Sequence, residues 1–358
     1  MTIINKYLLK RFSYGILLSA ILLLSIETFF SFTAETDDLN NGNYTFTEMI
    51  KYLILTLPGS MKELFPYALL IGALLSLGSM AADLEFVAMQ NAGISVKKII
   101  NVILIQAFVI STIFYSLCDL FVPQFSKQAE QNKNFAISKR MIHEANGVWF
   151  KDGNKFIKVH EVYSNKHLRH INIYEYDQEN ILKKFTSIGD AKFINNKWSL
   201  TSIEEISFLE KPMTIKKYNN KSVNSLINQN LLDIKTQDSI NLSIIDVINN
   251  ISYLDDNNLD NSIQKRIFWE KLLQPFTTII MLFLAMPFIF GKYRSNNLSK
   301  RIVIGVLLGV TFFIISSILS NLGNVIGLLP ILNVLVPNIL FIYIGYYLYQ
   351  NHLEEGLR

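Results

Sequence analysis

The chain has 358 residues, 50% of them hydrophobic and 17% charged, and a mean hydropathy of +0.28 that excludes a soluble globular protein of this size. Its net charge of +4 is dispersed in ones and twos of Lys and Arg, which excludes a basic stripe able to neutralise a run of nucleic-acid phosphates. The one cysteine, Cys118, lies in an apolar segment, which excludes an intrachain disulfide or a multi-cysteine metal site and leaves a small packing residue.

At the N-terminus Lys6, Lys10 and Arg11 precede an apolar run from Phe12 to Ala34. The run is longer than a signal-peptide core and no small-x-small cleavage site follows it, so it is expected to stay as a membrane anchor. A helix needs about 20 mostly apolar residues to cross the hydrocarbon core. Six stretches meet that requirement: Phe12–Ala34, Leu64–Ala82, Ile99–Val122, Leu272–Phe290, Ile302–Leu322 and Ile331–Tyr349. They fall into two sets of three around a polar insert. The expected division is a first transmembrane half over residues 1–135, an inserted domain over 136–265, and a second half over 266–358.

Lys and Arg are retained on the cytoplasmic side of a bilayer. That rule assigns to the cytoplasm the N-terminus, the loop with Lys97 and Lys98, and the loop with Lys292, Arg294, Lys300 and Arg301. The connection after the first span opens on Glu35, Asp37 and Asp38, then Asn40 to Asn43, an acidic turn-rich stretch suited to the outer side. Six spans place both termini in the cytoplasm and the insert outside, in the periplasm of a Gram-negative cell.

The insert, roughly Arg140 to Lys265, switches to alternating apolar and polar residues. Val148-Trp149-Phe150 and Lys155 to Val159 flank a turn at Asp152-Gly153-Asn154. His170 to Tyr176 alternates with period two, and Ala191 to Ile194 and Trp198 to Leu200 flank Asn195-Asn196. Further short strands are expected to about Ile234, and Leu242 to Leu259 is expected to be helical or irregular. The fold class is a polytopic α-helical membrane protein with six transmembrane helices, 3+3, and an inserted periplasmic domain, a sandwich or an open β-jellyroll.

The residues that could carry chemistry are few. No G-x-x-x-x-G-K-[ST] loop occurs, so any ATP must be hydrolysed by a partner. His160, His167 and His170 read as surface residues of the β insert, and no H-E-x-x-H or G-x-S-x-G elbow is present. Polar groups inside spans are better leads, because an ionisable group in hydrocarbon costs at least a few kcal/mol. Glu27 is the clearest: it either reaches water, pairs with a cation on another helix, or marks a cavity or a partner. Asp119 is expected to be interfacial, and Asn101 and Gln106 to hydrogen-bond between helices.

The loop Asp83 to Ser95 carries Leu84, Phe86, Val87 and Met89 in an amphipathic pattern, with Gly93 able to end a short helix before Lys97 and Lys98. Such a helix between spans either docks into an ATPase or rests on the membrane surface.

With this layout, the chain resembles the LptF/LptG family of lipopolysaccharide-export permeases over essentially its whole length. Leu84 to Gly93 is similar to the family's E-x-x-x-M-x-x-x-G coupling helix. Gly147 to Gly153, Ile171 to Tyr174 and Phe288 to Gly291 favour the LptG branch. The resemblance implies a non-catalytic permease paired with an LptF-like paralogue, a dimer of the ATPase LptB and the single-span protein LptC. Lipopolysaccharide is the implied substrate, entering from the membrane lipid between the first and fifth spans. No cofactor is implied for this chain, since ATP and Mg would be held by the ATPase. Glu85 becomes the coupling carboxylate, with Leu84, Met89 and Gly93 shaping its helix.

On the same resemblance Lys133 stands where the family often carries an arginine for lipid phosphates, although an ordinary solvated lysine is the plainer reading. Lys127 lies near it. Ser31 and Gly59 replace lysines that LptG proteins can carry, and Lys62, one turn after Gly59, is a possible compensation. The acyl chains need an apolar wall, for which Phe30 on the first span and Phe313 on the fifth are the candidates. A sensor that relays periplasmic binding is the alternative; it would call for a cytoplasmic effector domain or signalling helix, which the short predicted cytoplasmic loops do not supply.

Overall fold

In the computed structural model the described residues are 3–138, 147–164, 166–195, 197–208, 213–224, 226–227, 241–290 and 298–353. Six helices among them are long and apolar enough to cross a membrane. These are α1 (Ile3–Glu35), α2 (Phe46–Ala82), α4 (Val96–Ser138), α6 (Ser262–Phe290), α7 (Leu298–Ile326) and α8 (Pro330–Leu353), with short helices α3 (Glu85–Asn91) and α5 (Ile244–Asp256) between them. All six expected spans are present, and the helices outrun them. At 1.5 Å per residue the 37 residues of α2 reach about 55 Å, well beyond a hydrocarbon core of about 30 Å. An apolar window detects only the part of a helix that lies in lipid.

The described residues divide into two compact units. Unit 1 comprises 1–31, 57–121 and 262–358; unit 2 comprises 32–56 and 122–261. The core of unit 1 is built from Leu8 and Phe12 of α1, Leu69 and Leu77 of α2, Ile103 of α4 and Leu282 and Met286 of α6, all at most 2% exposed. Phe312 of α7 and Phe341 of α8 close it with rings 4.5 Å apart.

Helices α1 and α2 approach backbone to backbone at Gly15 and Gly72. A Cβ on Gly72 would lie 2.7 Å from the Gly15 carbonyl group, so nothing larger than hydrogen fits. The buried Ser19 hydroxyl donates across the same crossing to the Ala68 carbonyl. Polar links join the other helices as expected for spans in lipid. Gln106 of α4 donates to the Asn5 carbonyl of α1 at 2.8 Å, and Asn338 of α8 donates to Thr277 of α6 at 3.1 Å. Asn101, expected to bridge helices, instead lies on the exposed side of α4.

Unit 2 contains a six-stranded antiparallel sheet with strands in consecutive order: β1 (Val148–Asp152), β2 (Lys155–Ser164), β3 (His167–Tyr176), β4 (Leu182–Ile194), β5 (Lys197–Ser207) and β6 (Thr214–Val223). This is the expected inserted β domain, and the β1–β2 turn falls where the sequence puts it. The strands expected between residues 228 and 234 lie outside the described residues.

A crease runs across the sheet. Val159, Ile171, Ile188 and Ile203 are register partners in one buried row, and Val162, Leu168, Ala191 and Leu200 in the next. The two rows are three residues apart along every strand, whereas a regular pleat repeats every two. The extra residue is taken up along the line His160, His170, Gly189 and Ser202, with φ of 52° at His170 and 56° at Ser202. Both values lie in the left-handed region that L-residues rarely occupy.

The β1 edge is capped by α5. Tyr253 donates to the Lys151 carbonyl at 2.9 Å and accepts from the Lys151 amide at 2.8 Å, occupying backbone groups that an edge strand leaves open. Helix α5 starts on a capping box in which Ser243 accepts from the Asp246 amide and the Asp246 carboxylate accepts from the Ser243 amide.

Two outcomes are expected from thermal unfolding of the detergent-solubilised protein. Gly72→Leu overpacks the α1–α2 crossing and lowers stability by about 3 kcal/mol. Ser202→Val lowers it by about 1–3 kcal/mol relative to Ser202→Gly, because only glycine takes the crease conformation without strain.

Candidate functional site

Helix α3 hangs between α2 and α4, and each end has a backbone cause. Leu84, its N-cap, sits at φ 62° without a side-chain cap, which turns the chain sharply out of α2. At the other end the Ile94 amide donates to the Met89 carbonyl at 3.0 Å and the Gly93 amide to the Gln90 carbonyl at 2.9 Å. That pair of bonds is a Schellman closure, and Gly93 supplies its φ of 85°. Gly93 therefore ends the helix, as its place in the sequence suggests.

The faces of α3 divide cleanly. Phe86 is buried against Phe290, with ring centroids 4.7 Å apart, and Met89 packs on the unit 1 core. Leu84 is 56% exposed. Beside it, Glu85 accepts from the Tyr7 hydroxyl at 2.9 Å and lies 3.8 Å from the Arg11 guanidinium. An exposed leucine next to a partly exposed carboxylate, on a segment anchored from behind, is a surface able to meet a partner with an apolar groove and a cation.

Lys133 is the centre of a second constellation, in unit 2. Its ammonium donates to Glu35 at 2.7 Å and pairs with Asp38 at 2.8 Å, while the rings of Tyr44 and Tyr52 lie 5.8 and 4.9 Å away. Tyr44 in turn donates to the other Glu35 oxygen at 2.9 Å. Burial, then the hydrogen bond to Glu35, holds the Tyr44 phenol far above its ordinary pKa, so it remains a donor at any physiological pH. The lysine is thus neither a solvated surface charge nor an open cation, since a phosphate reaching it must compete with two carboxylates.

A family model described as "Lipopolysaccharide export system permease LptF/LptG" matches residues 6–351. The chain belongs to this family. It is 28% identical over 342 residues to the lipopolysaccharide export system permease protein LptG of Haemophilus influenzae, covering 95% of this chain and 96% of that one. It is 27% identical over 353 residues to the protein of the same name from Escherichia coli strain K12, covering 97% of each. The relatives' names agree with the LptG-type resemblance carried by the sequence motifs.

For an LptF/LptG chain the remaining candidates can now be placed. Glu27 is half-buried on α1 and accepts from the Ser31 hydroxyl, one turn on, at 3.0 Å, so the serine serves the carboxylate. Lys62 is buried, at 6% exposure, within electrostatic range of Cys118 on α4. Phe30 and Phe313 are 64% and 58% exposed on unit 1, whereas the neighbouring Phe312 is core. Asp119 has a partner that the sequence did not indicate: Lys271 of α6, 3.8 Å away and only 8% exposed. Tyr7 and Lys271 escaped the sequence reading, and Arg11, Glu35 and Asp38 entered it only as signals of membrane orientation. A lysine early in the fourth span and an acidic turn after the first were visible signals, but not which groups they meet.

Lys133→Met removes the cation from between Glu35 and Asp38. It is expected to lower the unfolding stability of the purified protein by about 1–3 kcal/mol, with most of the loss recovered in Lys133→Arg.

Proposed function

We propose that this chain is the LptG-type transmembrane subunit of an ABC transporter that extracts lipopolysaccharide from the inner membrane and passes it to a periplasmic bridge toward the outer membrane. Family membership across residues 6–351, with relatives named as lipopolysaccharide export permeases, is the observation that carries this reading. Six apolar helices support a multi-pass membrane location. The distribution of Lys and Arg supports cytoplasmic termini and a periplasmic β domain.

ATP and Mg are bound by a separate LptB-like ATPase dimer, and the chain pairs with an LptF-like paralogue and an LptC-like single-span protein. The short helix α3 between the second and third spans is the coupling element, supported by the exposure of Leu84, the partial exposure of Glu85 and the anchoring of Phe86 and Met89 behind them. Glu85 takes donors from the ATPase. A charge-assisted bond of this kind contributes roughly 1.5–3 kcal/mol where partly buried.

Lipopolysaccharide contacts the outward apolar surface that includes Phe30 and Phe313, with bulk lipid on the same surface before loading. Lys133 and Lys62 are the cations assigned to lipid phosphates; at Lys133 the phosphate displaces Glu35 or Asp38, and the buried Lys62 must first be uncovered. Glu27 with Ser31 is the polar site on the first span.

The test is lipopolysaccharide release and ATP hydrolysis in proteoliposomes containing this chain, its paralogue, the ATPase and the single-span protein. Glu85→Ala is expected to reduce release at least roughly ten-fold while the complex still assembles. Wild-type release from the Glu85→Ala complex would remove the coupling role.

A further inference from the structure

A carboxylate that meets a soluble partner binds more tightly if it is ordered in advance, because less freedom is lost on association. Glu85 is ordered by α1. Tyr7 donates to its Oε2 at 2.9 Å, and an Arg11 Nη lies 3.8 Å from its Oε1, so both oxygens are addressed from the first span. The two α1 residues also organise each other: Arg11 Nε donates to the Tyr7 hydroxyl oxygen at 3.1 Å, and the guanidinium lies 5.5 Å from the Tyr7 ring centroid. They are four residues apart and so share a helix face.

The opposite side of the same segment is fastened elsewhere. Phe86 packs on Phe290, the last residue of α6, so α3 is held by a polar clasp to the first span and by an aromatic contact to the fourth. The backbone turn at Leu84 sets the direction in which Glu85 leaves α2. An ion pair with Arg11 54% exposed adds little to stability, so the clasp is poorly explained as a device that holds the fold together. A carboxylate has about four lone-pair sites, and Tyr7 uses one of them in a full hydrogen bond. Glu85 can therefore accept from a partner without releasing α1.

We propose that Tyr7 and Arg11 are positioning residues through which Glu85, gripped by the ATPase, moves the cytoplasmic end of the first span directly. The proposal rests on the coupling role given to Glu85 above. Movement of α3 is then delivered to α1 by hydrogen bonding and to α6 by packing, and the two deliveries are separable by mutation.

The experiment uses the complete reconstituted complex and reads lipopolysaccharide released per ATP hydrolysed. Tyr7→Phe removes one hydroxyl and keeps the ring, and is expected to lower that ratio about three- to ten-fold at normal assembly yield. Arg11→Lys is expected to lose less than Arg11→Met. In a Glu85→Gln background the Tyr7→Phe change is expected to add nothing, because its effect runs through the carboxylate. A wild-type ratio for Tyr7→Phe, or an equal effect in both backgrounds, overturns the proposal. If Glu85→Gln uncouples while Tyr7→Phe does not, the clasp alone falls; if Glu85→Gln is itself silent, the coupling role of Glu85 falls with it.

Discussion

Hydrocarbon offers no hydrogen bonds, so every backbone amide and carbonyl that crosses it must be satisfied within the protein. From that constraint follow six long helices, their close approach where side chains shrink to hydrogen at Gly15 and Gly72, and the pairing of polar side chains between them. It also bears on Pro58, Pro66, Pro123, Pro275, Pro287 and Pro337, all of which lie inside helices. In water each would be a strong breaker, whereas a membrane helix has no better alternative and neighbouring groups absorb the lost bonds.

The same constraint governs charge. Lys133 sits between two carboxylates and two phenol rings, Lys271 beside Asp119, and Glu27 beside a serine hydroxyl. Sequence reading singles out Glu27 because an ionisable group in a span is costly. The structure adds that the cost is already reduced by partners within the chain. Any anion that approached Lys133 would have to displace Glu35 or Asp38 from it.

Helix α3 joins these themes to function. Seven residues form no stable helix alone, so their structure depends on Phe86 and Met89 packing behind and on the Gly93 closure. The outcome is a short helix that leaves Leu84 exposed with the partly exposed Glu85 beside it, in a protein whose relatives are named export permeases. Its amphipathic pattern and its closing glycine were legible in the sequence. The hydroxyl and guanidinium that hold the carboxylate were not, because they lie 78 and 74 residues away on another helix and no local period connects them.

The sequence by itself determined the order of elements: three apolar runs, an alternating insert with Asn and Gly turns, and three more runs. Those signals are local, since hydrophobic length and period are properties of the residues in one segment. Tertiary structure decided the rest. It extended α2 and α4 through polar residues that no apolar window counts, and it shifted the buried positions of the sheet from a spacing of two to three at the His170 and Ser202 crease. It also chose Phe312 over Phe313 for the core, and Glu35 and Asp38 as the partners of Lys133. Each of these outcomes depends on which residues packing brings together from distant parts of the chain, and that is set by helix crossings and strand register rather than by any neighbour in sequence.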